Sequence, residues 1–535
     1  MKNIHSLFLV GCSALALSAC GPSDIASPGT GGNVTINNPT TTTPTTPGTG
    51  TGTVTAAAGC PTIADPQGLT DQGTISGPTG TWRVCRLPSL VRTSSSLPKV
   101  AGLLYEIDGR VNVGCDGGFA APTAGAPYTS NTVGCTTALT ADTNVTLTIA
   151  PGAILYGKTG QSWLMVNRGN KINATGSQTQ PIIFTSRDNV LGLNDDNSQG
   201  QWGGVVLAGR GRVTDCRFGS VANDTCERDT EGAADPALFG GRDNAYNAGT
   251  LKYVQIRYSG FNLSANAELQ GLTTEGIGSG TVLEYIQSHN SSDDSAEFFG
   301  GAVNLKYFVA TGADDDSLDV DVGAQMDLQH ALLIQRPGRG DTLMEIDSNG
   351  NEGDTPRTRL RIANMVAIQS QASADNSASG QASILLRGNS DTTLANSIVI
   401  SPNNECLRMN GSGTTPATLT ARSVVMQCNA TRYIGTGSYT ATQVEGFFGN
   451  GANNNNHAFT PTLTGLFLNG ANEDAVVAFD LTTIAPVSTL FANPSPNRIG
   501  AAWSGNSSWY TGWTCNSSTA NFGASSTACS SLPTT

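Results

Sequence analysis

From residue 97 onward, short apolar runs rich in Leu, Ile, Val, Phe and Tyr alternate with turns of Gly, Asn, Asp and Ser. No stretch there keeps the spacing of an amphipathic helix. The runs recur. LKYVQIRYSG (251–260), VLEYIQSHN (282–290), NLKYFVATG (304–312) and LQHALLIQ (328–335) share a leading leucine at Leu251, Leu283, Leu305 and Leu328. Weaker copies follow at Leu360, Leu394 and Leu419, giving steps of 32, 22, 23, 32, 34 and 25 residues. Unequal steps of this size fit one coil with loop insertions of variable length.

A leucine-rich repeat needs its Leu/Asn signature and a helix per repeat, which the chain lacks. A four-stranded propeller blade takes about 40 residues, too many for the 22- and 23-residue steps. The expected fold class is therefore all-β: a right-handed parallel β-helix, a solenoid with capped ends. Each coil would lay its strands about 4.8 Å from the next, with Val, Ile, Leu and Phe stacked in a narrow core. TLTIAPGAILYG (146–157) and INATGSQTQPIIFTSR (172–187) read as early coils. IGAAWSGNSSWYTGWTC (499–515) gathers Trp503, Trp509, Tyr510 and Trp513 and reads as an aromatic cap over the open core, with a carbohydrate-stacking platform as the alternative.

The N-terminus carries Lys2, an apolar stretch from Leu7 to Leu17, and small residues before Cys20. This is the pattern of an export signal, and Leu17-Ser18-Ala19-Cys20 resembles a bacterial lipobox. The resemblance implies diacylation of Cys20 as the mature N-terminus, and Gly21 in place of Asp implies outer-membrane delivery. Several acyl chains at one site anchor stably where one does not. Residues 21–58, with TTTTPTTPGTGTGT at their centre, cannot bury apolar surface and read as a tether. Its 38 residues would span about 35 Å on average as a flexible coil. The expected organisation is a signal at 1–19, the lipidated Cys and tether at 20–58, an N-terminal cap region with disulfides at 59–139, the β-helix at 140–498 and a C-terminal cap at 499–535.

Composition narrows the function. The 535 residues include 64 Gly but only 13% charged residues, with 28 Lys plus Arg against 41 Asp plus Glu. A net charge of −13 lacks the basic face that nucleic acid requires. No apolar run reaches the 18 or so residues of a membrane span. Of 12 Cys, Cys12 leaves with the signal and Cys20 takes lipid. The remaining ten suggest sequential bridges in an oxidising compartment: Cys60 with Cys85, Cys115 with Cys135, Cys216 with Cys226, Cys406 with Cys428, and Cys515 with Cys529. The Cys/His clustering of a zinc site is missing.

QWGGVVLAGRG (201–211), DDSAEFFGGAVNLKYFV (293–309), ADDDSLDVDVG (313–323) and the closing WYTGWT resemble a family of exported bacterial β-helix proteins. That family includes leptospiral outer-membrane lipoproteins and cargo of Bacteroidetes secretion systems. Ala296 stands where its pattern usually has an aromatic. The resemblance covers roughly 140–515. It implies a cell-envelope lipoprotein, often encoded beside TonB-dependent receptors, and carries no established catalytic residue.

The best chemical signal is a ladder of carboxylates. DDSAEFF (293–299), DDSLDVDV (315–322) and DTLMEIDS (341–348) can be laid over one another. Strand alternation puts Leu318, Val320 and Val322 inside and Ser317, Asp319 and Asp321 outside. One outward column is then Glu297, Asp319 and Glu345, extended by Glu275, and the next is Phe299, Asp321 and Asp347. Like charges about 5 Å apart repel by roughly 3 kcal/mol at an effective dielectric near 20. The ladder therefore needs solvent, protons, a partner such as Arg387, or a cation, and oxygen-only ligands suit Ca²⁺. The expected ligands are Glu297, Asp319, Asp321, Glu345 and Asp347.

Three functions remain in view. The first is a non-catalytic lipoprotein, lipid-anchored on the periplasmic face or cell surface of the outer membrane, that binds a glycan, metal or envelope partner such as a TonB-dependent receptor. The second is a β-helix polysaccharide lyase or hydrolase. Asp293, Asp294, Asp315, Asp316, His289 and His330 supply acid–base types, and Arg336 and Arg339 a lyase base. The Gly-His-Gly and Arg-Ile-Lys elements of the hydrolases are missing. The third is a passive surface or adhesion protein.

Overall fold

The computed structural model describes residues 53–231, 237–264, 267–348, 350, 353–373, 375 and 380–534. The export signal, Cys20 and all but the last residues of the tether lie outside them. The chain winds as a parallel β-helix. Its strands form a 15-stranded sheet and an 11-stranded sheet, and all the named pairings between successive turns are parallel. Each central turn gives a long strand to the first sheet and a short one to the second. Val282–His289 precedes Ala296–Phe299, Ala302–Thr311 precedes Asp319–Asp321, and Gln325–Ile334 precedes Met344–Ile346.

Leu251, Leu283, Leu305 and Leu328 lie opposite one another, as their spacing requires. Beyond them the column continues through Ile362, Leu394 and Ala421. Leu360 and Leu419 belong two residues earlier on the same face, with Met326 and Thr392. The apolar pattern cannot separate the two registers because both positions point inward.

The long strands bend midway. Tyr253, Tyr285, Tyr307, His330, Asn364, Asn396 and Ser423 all take positive φ, between 48° and 65°. They occupy one column, two residues after the leucine column. A left-handed residue breaks the two-residue alternation of a strand, so Leu251, Val254 and Ile256 all reach the main core. Left-handed backbone costs about 1–3 kcal/mol in a non-glycine residue, least in Asn. Stacking offsets part of it. Tyr253, Tyr285 and Tyr307 stack with centroids 4.3 Å apart, and His330 stacks on Tyr307 at 5.1 Å.

The C-terminal segment covers this column rather than the open core. It runs back along the flank of the β-helix: Val477 O accepts from Ser423 Oγ at 2.8 Å, and Arg498 O accepts from Asn364 Nδ2 at 2.9 Å. Trp509 then lies 5.6 Å from Tyr307, and Trp513 stands edge-on to Tyr285 at 5.9 Å. Gly500, at φ 75°, lies where a Cβ would come within 2.6 Å of Ile398 Cδ1. The expected aromatic cap is therefore a strap. The end of the core is closed instead by the helix Ala441–Phe448, whose Val444 and Phe448 enter the main cluster.

The boundaries also shift. Parallel pairing already joins Gly80–Arg86 to Leu103–Ile107, inside the region expected to be a cap. The last strand of the second sheet is Tyr433–Thr436, well short of residue 498. Val54, expected in the tether, is buried and bridges to Gly80. A long insertion between Val113 and Thr146 hides the early coils from a search for repeats. The five bridges form in sequence: 60–85, 115–135, 216–226, 406–428 and 515–529. No helix of the described residues is long and apolar enough to cross a membrane.

Candidate functional site

The repeated Asp-Asp-Ser and Asp-Thr-Leu segments lead into the short strands of the second sheet, so each turn delivers the same carboxylates to the same corner. Parallel register places Glu297 opposite Asp319 and Asp319 opposite Glu345. Phe299 lies opposite Asp321. Glu275 does not extend the first column. It faces Phe299, and Thr273 takes the position before Glu297.

The outer face is sealed, against the expectation of a solvent-facing ladder. Glu297, Asp321 and Glu345 are 0% exposed, Asp319 is 1% and Asp347 2%. Val322 does not point into the core. Its φ of 41° turns it outward into a second apolar cluster with Phe239 and Phe299.

The corner holds further carboxylates. Asp294 Oδ1 accepts from the backbone N–H of Asp316 at 2.8 Å, and Asp316 Oδ1 accepts from that of Thr342 at 2.7 Å. Each of these aspartates therefore spends one oxygen on the next turn. Asp293 Oδ2 accepts from Gln270 Nε2 at 3.1 Å, and Gln270 Oε1 in turn accepts from Thr273 Oγ1 at 2.6 Å. Ligand atoms of Asp293, Asp294 and Asp315 lie within 4.8 Å of one another, as do those of Asp294, Glu297 and Asp319.

Two parts of the ladder differ in compensation. Arg387 pairs with Glu345 at 2.7 Å and reaches Asp347 at 3.4 Å. Asp321 accepts from the N–H of Val322. By contrast, among the described residues neither oxygen of Glu297 or of Asp319 has a hydrogen-bond partner, and Asp294 Oδ2 has none. Arg228, whose charge acts on Asp321 and Glu297, makes its ion pair with Asp215. Burial, and then neighbouring carboxylates, push Asp294, Glu297, Asp315 and Asp319 well above the ordinary carboxylate range. Burial pushes Asp293 up to about 6. Of the five expected ligands, Glu297 and Asp319 join the uncompensated group, and Glu345 and Asp347 face an arginine. Asp293, Asp294 and Asp315, acid–base types in the sequence, stand with Glu297 and Asp319. Their recurrence as Asp-Asp-Ser was the signal that they share the corner.

A family model for pectate-lyase-like β-helix domains matches residues 128–475. The chain belongs to that family. No curated protein and no solved structure matches the chain.

The acid–base types of this pectate-lyase-like β-helix are placed apart in role. His289 is 0% exposed, shares a hydrogen bond with Thr311 Oγ1 at 2.9 Å and lies edge-on to Tyr258. Burial, then Arg257 and Arg336, pull it down to about 3. His330 belongs to the aromatic column under Trp509, and burial pulls it to about 3 as well. Arg336 pairs with Asp314, and Arg339 with Asp375 at 3.3 Å.

Proposed function

We propose that this β-helix is a non-catalytic lipoprotein of the bacterial outer membrane, held through Cys20 and its tether, which binds an envelope partner. The observation that carries the non-catalytic half is the sealing of the carboxylate and histidine candidates in the repeat. The aspartates of the corner are at most 6% exposed, and both histidines are buried and held neutral. A polysaccharide lyase or hydrolase must bring a polymer within hydrogen-bond reach of its acid and base. The anchoring half rests on the lipobox, and a TonB-dependent receptor is the partner to which the family resemblance points.

The family match keeps the lyase or hydrolase reading as the alternative, and one assay separates the two. The exported protein is incubated with acidic polysaccharides, with and without Ca²⁺. No unsaturated or reducing ends are expected; their appearance, lost in Glu297→Gln, overturns the non-catalytic reading. Fractionation checks the anchor: Cys20→Ser is expected to leave the outer-membrane fraction. Co-expression and crosslinking with a TonB-dependent receptor tests the partner, and recovery of the lipoprotein alone counts against it.

A further inference from the structure

The ladder is neutralised at one end only. Arg387 answers Glu345 and Asp347. At the other end, Asp293, Asp294, Glu297, Asp315 and Asp319 converge with no arginine or lysine ion pair among the described residues. An ionised carboxylate taken out of water without a partner costs several kcal/mol. Sharing protons is one remedy and a cation is the other, and among the described residues no N–H or hydroxyl donor reaches either oxygen of Glu297 or Asp319. They are 0% and 1% exposed, so water does not solvate them from the surface. One carboxylate oxygen each of Asp294, Glu297 and Asp319 lie within 4.8 Å of one another.

Asp294 belongs to both groups of converging ligands. Its Oδ1 is fixed by the Asp316 N–H, which leaves Oδ2 unpartnered inside the corner. Asp315 Oδ1 is also buried without a partner. We propose that this corner binds two hard divalent cations that share Asp294: one held with Asp293 and Asp315, the other with Glu297 and Asp319. Five carboxylates supply five negative charges, and two dications return four. The ligands are all oxygen, with neither thiolate nor imidazole among them, which suits Ca²⁺ over zinc or copper. Mg²⁺ keeps several waters and demands an octahedron, so a sealed carboxylate corner disfavours it. The ligands come from successive turns, so the cations would tie turns together at the point where like charges otherwise drive them apart.

Because none of the five is more than 6% exposed, the ions are expected to enter during folding and to exchange slowly. The test therefore begins with the purified protein as it comes from the cell, dialysed and analysed for metals. About two equivalents of Ca²⁺ per chain are expected. Unfolding and refolding in chelator should remove them and lower the melting temperature by several degrees, and refolding in Ca²⁺, but not in Mg²⁺, should restore it. Asp294→Asn should lose both equivalents and Glu297→Gln one. Glu275→Gln, a buried carboxylate outside the two groups, should retain both. Wild-type protein free of Ca²⁺ after refolding in its presence, with no change in melting temperature, overturns the proposal. So does retention of both equivalents by Asp294→Asn. A single equivalent in the wild type overturns the shared-ligand arrangement.

Discussion

Asn396 and Phe479 exchange two hydrogen bonds across 83 residues of sequence: Asn396 Nδ2 donates to Phe479 O at 3.0 Å, and the Phe479 N–H donates to Asn396 Oδ1 at 2.7 Å. The pair is the pattern of the whole strap in miniature. A residue forced into left-handed backbone at the bend of a coil turns its side chain outward, and the returning C-terminal segment meets it. Asn396→Ala removes both bonds, strands a backbone N–H and puts Ala at φ 48°. The expected loss is about 2–4 kcal/mol, read from the denaturant midpoint.

Trp513 closes the aromatic end of the same column. It is 0% exposed, edge-on to Tyr253 at 6.1 Å and to Tyr285 at 5.9 Å. Trp513→Ala should cost about 3–5 kcal/mol and open the segment after residue 499 to limited proteolysis. Val487→Ser on the same strap, where Val487 is 81% exposed, should change neither.

Much of the fold was legible in the residues. The leucine column needs only unequal steps of one coil, and the stacking of Glu297, Asp319 and Glu345 follows from laying the three acidic segments over one another and from strand alternation. What alternation could not give was the bend. Nothing local marks Tyr253 or His330 as left-handed, because the aromatic stack and Trp509 that stabilise it come from other turns and from the far end of the chain. The same limit misplaced Val322, whose positive φ reverses its face. Alternation also says nothing of solvent, and burial of the second sheet's outer face depends on packing from distant segments such as Phe239.

Arg387 provides a test of the compensated half of the ladder. Arg387→Met leaves Glu345, 0% exposed, without its 2.7 Å guanidinium partner. Removing one member of a buried pair costs about 3–5 kcal/mol. Arg387→Met with Glu345→Leu should recover most of that loss in a double-mutant cycle followed by thermal melting.

Glu275 sets a pH dependence with a definite sign. Its Oε2 accepts from Thr230 Oγ1 at 3.0 Å, and burial pushes the carboxyl from 4.5 up to about 8. A carboxyl raised on folding stabilises below its unfolded pKa, and that contribution is lost as pH rises through the folded one. His289 and His330, pulled down to about 3, act oppositely, but above their ordinary 6.5 they are neutral whether folded or not. Between pH 6.5 and 8 the histidines therefore drop out and raised carboxyls set the slope, Glu275 among them with Glu231, also pushed up to about 8, and Glu268, pushed up to about 7. In chelator the wild type should lose stability across that window, and Glu275→Gln should lose less, by on the order of a few kcal/mol. Melting curves at a series of pH values read the difference.

The central claim is that the uncompensated carboxylates of the corner are cation ligands, and it is tested most directly by locating the ions. Crystals of protein unfolded in chelator and refolded in Mn²⁺, an oxygen-seeking stand-in, are recorded at the manganese edge, where the anomalous density marks the metal. The account predicts two peaks flanking the Asp294 carboxylate, one against Glu297 and Asp319 and the other against Asp293 and Asp315. A corner without anomalous density, or peaks confined to Glu345 and Asp347, would contradict it.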